Sequence, residues 1–143
     1  MYLVVAIFCI TKTLAQSESF YFIQLSDPQF GMLEKNKSFS QETMIMEKVI
    51  AAINNLNPAF VVITGDMVND GKDQKQIDEF KRVCKLIKKS IPVYVLPGNH
   101  DLSQQCTDES ISNYMDEYGY DCFSFQVNNL SLIHISEPTR QEA

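Results

Sequence analysis

The sequence has few basic residues, which limits the partners it can bind. Its 143 residues carry 12 Lys and Arg against 18 Asp and Glu, for a formal net charge of −6. A nucleic-acid surface draws on clustered Lys and Arg, so we expect no broad nucleic-acid-binding face. The one basic cluster, in residues 81–89, lies on a predicted helix beside Glu79, and we interpret it as a solvated helix face.

The sequence also lacks an apolar run long enough to cross a bilayer as a helix. Residues 2–10 are apolar but too few to span, and they fit the hydrophobic part of a signal peptide. Thr13 and Ala15 are spaced for cleavage after Ala15. We therefore expect residues 1–15 to be a signal peptide, the protein to be exported, and no transmembrane span. The alternative is a buried first strand in a cytoplasmic protein.

Several common motifs are missing. No C-x-x-C pair occurs, so a zinc knuckle or a thioredoxin-like site has no support. Export would remove Cys9 and leave Cys84, Cys106 and Cys122, which allow at most one disulfide, with the pairing open. No G-x-G-x-x-G or G-x-x-x-x-G-K-[ST] follows a predicted strand, which disfavours a nucleotide-binding module.

Three apolar runs predict strands that alternate with helices. The strands are predicted at residues 20–26, 59–64 and 92–96, and helical periodicity occurs in residues 38–56 and 73–89. This order implies parallel pairing through crossover helices, hence an α/β layered sheet. A short helix over residues 110–118 and a further strand over residues 122–127 are expected to follow.

The first predicted helix has a start signal and an apolar face. Ser38 to Gln41 matches a capping box, and Asn57-Pro58 ends the element. The predicted core face consists of apolar residues at helical spacing: Ile45, Val49, Ala52, Ile53 and Leu56.

Polar, metal-competent residues follow each of the three predicted strands. They are Asp27 and Gln29 after the first, Gly65, Asp66, Asn69 and Asp70 after the second, and Gly98, Asn99, His100 and Asp101 after the third. Each group alone is typical of an ordinary turn. Ligands bind at the carboxyl ends of parallel strands, so the three groups together predict one functional site.

The residue types in these groups predict a metal centre. Carboxylate and amide oxygens suit hard divalent or trivalent ions, and no thiolate cluster indicates structural zinc. Two ions about 3.5 to 4 Å apart can share a carboxylate and stabilise both oxygens of an in-line displacement. Phosphate-ester hydrolysis with Mn, Fe, Zn or Mg is the predicted use, and the metal's identity is open.

From Phe20 to about Leu130 the sequence resembles the calcineurin-like metallophosphoesterases. Their signature runs Asp-x-His, then Gly-Asp-x-x-Asn/Asp, then Gly-Asn-His-Asp/Glu. The resemblance implies that Asp27 ligates the first metal, that Asp66 bridges both, and that Asn99 ligates the second. It also implies that His100 faces the leaving group or the phosphoryl group, with Asp101 orienting its imidazole.

Two departures from the family pattern affect the expected activity. Gln29 stands where the family has a histidine, so occupancy of the first metal position and metal preference are in doubt. The family completes its site with downstream histidines, two of them in a Gly-His-x-His turn. The only other histidine here, His134, has no such pattern. We therefore expect weak metal binding and negligible turnover from these 143 residues alone.

The end of the chain has an unusual composition. Residues 132–140 resemble translated sequencing-adapter sequence, so we expect residues 20–131 to be a partial phosphoesterase domain and residues 132–143 a non-native tail. The alternative is a native polar tail on a shortened family member. We also expect the partial domain to leave an apolar sheet face exposed.

Two functions from different classes remain open on sequence grounds. The first is a metal-dependent phosphoesterase whose substrate is a phosphate ester such as a phosphoprotein. The second is a non-catalytic metal-binding or regulatory module, motivated by Gln29 and the missing histidines. A reading frame that continues beyond codon 131 into a Gly-His-x-His turn would favour the first.

Overall fold

The structure, a computed structural model, describes residues 20–102, 106–120, 123–127 and 130–134. The predicted signal peptide, Cys122 and residues 135–143 lie outside these ranges, so export and the proposed tail stay predictions. No helix within the described ranges is long and apolar enough to cross a membrane.

A three-stranded parallel sheet forms the centre of the fold. Strands β1 (Ile23–Ser26), β2 (Val61–Thr64) and β3 (Val93–Leu96) lie in the order β1-β2-β3. Helix α1 (Ser40–Leu56) connects β1 to β2, and helix α2 (Gln74–Cys84) connects β2 to β3. The predicted α/β architecture with parallel strands and crossover helices is confirmed.

Both crossover helices pack on the same face of the sheet. Val61 and Ile63 of the central strand are fully buried, and they share one core cluster with apolar residues of both helices: Met46, Ile50, Ile53, Ile77, Phe80 and Val83. Burial on this face accounts for Val61 and Ile63, whereas Val62, which points to the opposite face, is half-buried.

The buried face of α1 differs from the predicted one. Ile45 and Leu56 are each 56% exposed, whereas Met46, Ile50 and Ile53 are buried. The helix carries two overlapping apolar stripes, and periodicity alone does not rank them. The buried stripe continues to Glu42, whose Oε1 accepts the backbone N–H of Leu33 at 2.8 Å. The buried face of α1 thus includes a residue that binds the loop before the helix.

The predicted capping box at the start of α1 is also wrong. The helix begins at Ser40, and the residue at its N-cap, Phe39, makes no side-chain cap. Ser38 Oγ accepts the N–H of Ser40 at 3.2 Å, while Gln41 Nε2 donates to Glu34 Oε1 at 2.9 Å. The side chain of Gln41, which the capping box would bind to the backbone, therefore binds the carboxylate of Glu34 in the preceding loop.

Helix α2 is shorter than its periodicity predicts. It begins after Asp73, whose Oδ1 accepts the N–H of Lys75 at 3.0 Å, and it ends at Cys84 instead of residue 89. Residues 85–90 form turns and bends, and Ile87, which the periodicity places on the buried face of a longer helix, is buried there without helical structure. Cys84 and Cys106 are free thiols, and burial raises the pKa of Cys84 to about 12.

A third helix and a hairpin follow the sheet. Helix α3 (Asp108–Tyr118) starts with a capping box between Thr107 and Ser110. Strands β4 (Phe123–Val127) and β5 (Leu130–His134) pair antiparallel. The sequence analysis did not predict β5, which crosses the proposed boundary between residues 131 and 132.

The hairpin contacts the second face of the sheet. The ring of Phe125 stacks on Tyr94 with centroids 4.0 Å apart and meets Phe60 edge-on. Tyr94 is only partly exposed, and the exposed positions of this face in β1 are the polar Gln24 and Ser26. The expected exposed apolar face is therefore covered in part: Val62 and Tyr94 are half-buried, whereas Phe22, just before β1, is 48% exposed.

A substitution at Phe80 tests how much the packing of α2 against the core contributes to stability. Its ring is 2% exposed and meets Phe30 and Tyr118 edge-on, at 5.9 and 6.0 Å between centroids. Phe80→Ala is expected to lower the free energy of unfolding by about 3 to 5 kcal/mol, because a large cavity remains. Urea unfolding measures this. Leu86→Ala, at a 47% exposed site, should change it by about 0.5 kcal/mol or less; equal losses would contradict the assigned core.

Candidate metal and phosphate site

The loops after the three strands meet at the carboxyl edge of the sheet. The loops after β1 and β2 are joined by backbone bonds from Gln29 N to Asp66 O at 2.9 Å and from Asn69 N to Phe30 O at 3.0 Å. The loops after β2 and β3 are joined by a bond from Gly71 N to His100 O at 3.2 Å. Parallel pairing thus gathers the predicted site residues at one edge.

Three of the predicted site residues have left-handed backbone conformations. The φ angles of Asp27, Gln29 and Asp66 are 51°, 40° and 33°. For residues other than glycine such conformations cost on the order of 1 to 3 kcal/mol each, and they concentrate at functional sites. Strain in both loops at this edge supports a functional role for these positions.

Asp66 lies at the centre of the site. It is 8% exposed, and its Oδ1 accepts the backbone N–H of His100 at 2.9 Å. A Cβ at Gly98 would overlap both Oδ1 and the backbone nitrogen of Asp66, so only glycine fits there. The backbone of the turn after β3 therefore packs directly against Asp66, with no space for a side chain at Gly98.

The other predicted oxygen donors lie in the loops after β1 and β3. Asp27 is exposed, accepts the hydroxyl of Ser26, and has Oδ1 within 3.5 Å of where a Gly65 Cβ would lie. Gln29 Nε2 donates to Asn69 Oδ1 at 3.4 Å, so its carbonyl oxygen is the atom able to meet a cation. Asn99 is exposed at the turn after β3.

The predicted donors have the chemistry of metal ligands, but the described residues provide too few of them for a complete metal centre. Two carboxylates and two amide groups provide the oxygen donors that hard ions prefer. Within the described residues, no three His, Cys, Asp or Glu side chains converge as a metal-holding group. The residues present therefore fit part of a dinuclear centre.

His100 is held by the backbone of the β2 loop. Its Nδ1 lies 2.7 Å from the carbonyl oxygen of Asn69. A carbonyl only accepts, so Nδ1 carries the proton in this bond, and Nε2 is the ring nitrogen left to meet a substrate. A cavity of about 320 Å³ adjoins the ring and is lined by Asn36, Lys72, Asn99 and Ser110, among others.

Asp101 does not have the role that the family resemblance implied. Its carboxylate is 8% exposed and accepts backbone N–H groups from Gly98 at 2.8 Å and from Met67 and Val68 at 3.2 Å each. The imidazole of His100 is bound by Asn69 instead. Burial raises the pKa of Asp101 to about 6, an effect that these three N–H groups oppose and the charge of Asp66 reinforces.

Sequence reasoning missed the residues that support His100. Asn69 was included only as a metal-competent residue, although its place in the Gly-Asp-x-x-Asn motif could have indicated a role beside His100. Gln76 in α2 accepts two backbone N–H groups of the same loop and has no motif of its own. Its side chain is buried, and only the tertiary structure shows where it points.

The role of Asp101 in joining the loops can be measured. Asp101→Ala leaves three N–H groups without their acceptor, each costing about 1 to 3 kcal/mol when buried. We expect a lower urea midpoint, with Asp101→Asn intermediate because one acceptor oxygen remains. Asp116→Ala, an exposed aspartate of α3, is the control and should change stability by about 0.5 kcal/mol or less. Matching losses in Asp101→Ala and the control would refute the assignment.

Comparison with known proteins identifies a matching family and several relatives. The family described as Calcineurin-like phosphoesterase matches residues 20–138. The serine/threonine-protein phosphatase CPPED1 of Rattus norvegicus is 34% identical over 123 residues, which cover 76% of this chain and 39% of that protein. The human protein of the same name is 33% identical over 126 residues, covering 78% and 40%.

A bacterial relative extends the range of similar proteins. The probable glycerophosphodiester phosphodiesterase GpdQ of Arcobacter nitrofigilis is 33% identical over 124 residues, covering 82% of this chain and 40% of that protein. The chain thus spans about two fifths of the length of these curated relatives. The three motifs, the parallel sheet that gathers them and the family match agree: the chain belongs to the calcineurin-like phosphoesterase family.

Proposed function

We propose that the domain to which this chain contributes hydrolyses phosphate esters with two bound metal ions. The observation that carries the proposal is that the loops after the three strands meet at one edge of the sheet, where the buried carboxylate of Asp66 accepts the backbone N–H of His100. The family is generally dependent on a dinuclear metal centre. Its curated relatives are named as phosphatases or phosphodiesterases.

Each site residue has a proposed role in this reaction. Asp27 and Gln29 would hold the first ion, Asp66 would bridge both, and Asn99 would hold the second through its side-chain oxygen. The ions, when bound, supply positive charge to the phosphoryl oxygens and make a water molecule acidic enough to attack. Which of Mn, Fe, Zn or Mg serves is a matter for metal analysis.

His100 is proposed to protonate the leaving-group oxygen. In the imidazolium form, Nδ1–H stays bound to Asn69 O while Nε2–H faces the substrate. Asp101 contributes by holding the loops of Asp66 and His100 together, without touching the reacting atoms.

The proposed substrate is a phosphorylated protein side chain. The support is the name of the CPPED1 relatives, serine/threonine-protein phosphatase. The cavity beside His100 is lined mostly by polar side chains, which include amide and hydroxyl groups, Lys72 and the carboxylates of Asp70 and Asp101. The glycerophosphodiester of the bacterial relative's name is the second candidate.

A non-catalytic metal-binding or regulatory role remains the alternative. The observation that favours it is the donor count, since no three charged or imidazole ligands converge among the described residues. Hydrolysis that depends on Asp66 separates the two functions.

Two substitutions test the site in a protein that extends this chain through the rest of the family domain. Asp66→Asn is expected to lower hydrolysis of an aryl phosphate by several orders of magnitude, because the bridging carboxylate organises both ions. His100→Ala should lower kcat by about 10² to 10⁴ and leave metal content nearly intact. Metal analysis beside steady-state kinetics distinguishes them. Loss of metal in His100→Ala with full metal in Asp66→Asn would reverse the two roles.

For the 143 residues alone we expect negligible phosphatase turnover with added manganese. Asp27, Gln29, Asp66 and Asn99 supply oxygen donors without an imidazole, which leaves each ion weakly held. The measurement is steady-state hydrolysis by monodisperse chain, with Asp66→Asn as the matched control. Robust turnover that the control abolishes would show that the strand-end residues suffice.

A further inference from the structure

The peptide group between Asn69 and Asp70 is held at both ends. Its N–H, from Asp70, donates to Gln76 Oε1 at 3.0 Å, and its C=O, from Asn69, accepts from His100 Nδ1 at 2.7 Å. This peptide is trans. In a planar trans peptide the N–H and C=O point in opposite directions, so fixing one fixes the other.

The side chain of Gln76 is itself fixed. It is 1% exposed in the first turn of α2, and Oε1 also accepts the N–H of Asn69 at 3.1 Å. Its Nε2 donates to Asn36 Oδ1 at 3.0 Å and to Asp73 Oδ2 at 3.1 Å. Because Oε1 faces two N–H donors and Nε2 faces two oxygen acceptors, only one orientation of the Gln76 amide satisfies all four hydrogen bonds.

The surroundings of Gln76 make this arrangement specific. Gly31 has a φ of 99°, and a Cβ there would lie 2.6 Å from Gln76 Nε2, so the loop after β1 leaves room for the amide. Asn36 Oδ1 accepts from Asn69 Nδ2 at 2.7 Å as well as from Gln76. Gln76 therefore joins the loops after β1 and β2 directly behind the carbonyl that holds His100.

We propose that Gln76 is a positioning residue that sets the tautomer and the ring direction of His100 through the Asn69–Asp70 peptide. Gln76 lies behind the loop and needs no contact with substrate. The link between Gln76 and the ring rests on the hydrogen bonds alone. Its importance for turnover rests on the proposed function, in which Nε2 must face the leaving group while Nδ1 stays bound.

The tautomer of His100 can be observed without measuring catalysis. The chain has only two histidines, His100 and His134, so ¹⁵N-labelled imidazoles give two sets of ring signals, and His134→Gln assigns them. The spectra are recorded on the full chain at a pH where the rings are neutral. Wild type is expected to show His100 with its proton on Nδ1.

Three variants separate positioning from general support of the loop. Gln76→Met removes the Oε1 acceptor and keeps a side chain of similar size. Gln76→Ser is too short to reach the N–H groups of Asn69 and Asp70 and leaves room for water. In both variants the Nδ1–H form of His100 is expected to predominate no longer. The double variant Gln76→Glu with Asp73→Asn keeps an oxygen for the N–H groups of Asn69 and Asp70, puts an amide donor where Asp73 Oδ2 lies, and should retain the Nδ1–H form. Dispersed amide spectra verify folding in each case.

Three results would overturn the proposal. One is wild-type protein with the proton of His100 on Nε2. Another is a folded Gln76→Met or Gln76→Ser variant with the wild-type tautomer. The third is loss of the Nδ1–H form in the folded double variant Gln76→Glu with Asp73→Asn as well, which would mean that loop disruption decides the ring state. Since turnover is not the readout, inactivity of a protein that extends this chain through the rest of the family domain would count against the proposed function and leave this result standing.

Discussion

The carboxylate of Asp101 joins the loops on which the site depends. It accepts N–H groups from Met67, Val68 and Gly98, so the turn after β3 is bound to the segment after β2. These donors are backbone groups in a region mostly closed to water, where a missing acceptor would be costly. Asp66 and His100 lie within the two segments joined in this way, and their mutual bond at 2.9 Å follows from that closeness.

Close approach at this edge requires unusual backbone. Gly98 has no room for a Cβ against Asp66, and a Cβ at Gly71 would lie 2.7 Å from Asp101 O. Asp27, Gln29 and Asp66 have positive φ, at a cost that the core beneath must offset. Strand β2, with Val61 and Ile63 fully buried, and the two helices packed on it provide that rigid base. Strained loops on a rigid sheet hold the predicted site residues at one edge of the fold.

The polar network behind the loops provides a second level of organisation. Gln76 connects α2 to the peptide that binds His100, and Asn36 connects the loop after β1 to the same group. Amide side chains suit this function because each offers a donor and an acceptor in one plane. The imidazole orientation is thus decided by hydrogen bonds that begin at a helix away from the substrate side.

Parallel pairing and the residues that gather at one edge followed from the sequence, because apolar runs and strand-end motifs are local patterns. The family followed from the same motifs. Three features were decided by tertiary structure: the buried stripe of α1, the length of α2 and the partner of His100. Ile45 and Met46 are both apolar, and only packing against the sheet selected Met46. Asp101 follows His100 directly, yet its carboxylate binds backbone N–H groups, because their need for an acceptor arises only when the loops fold together.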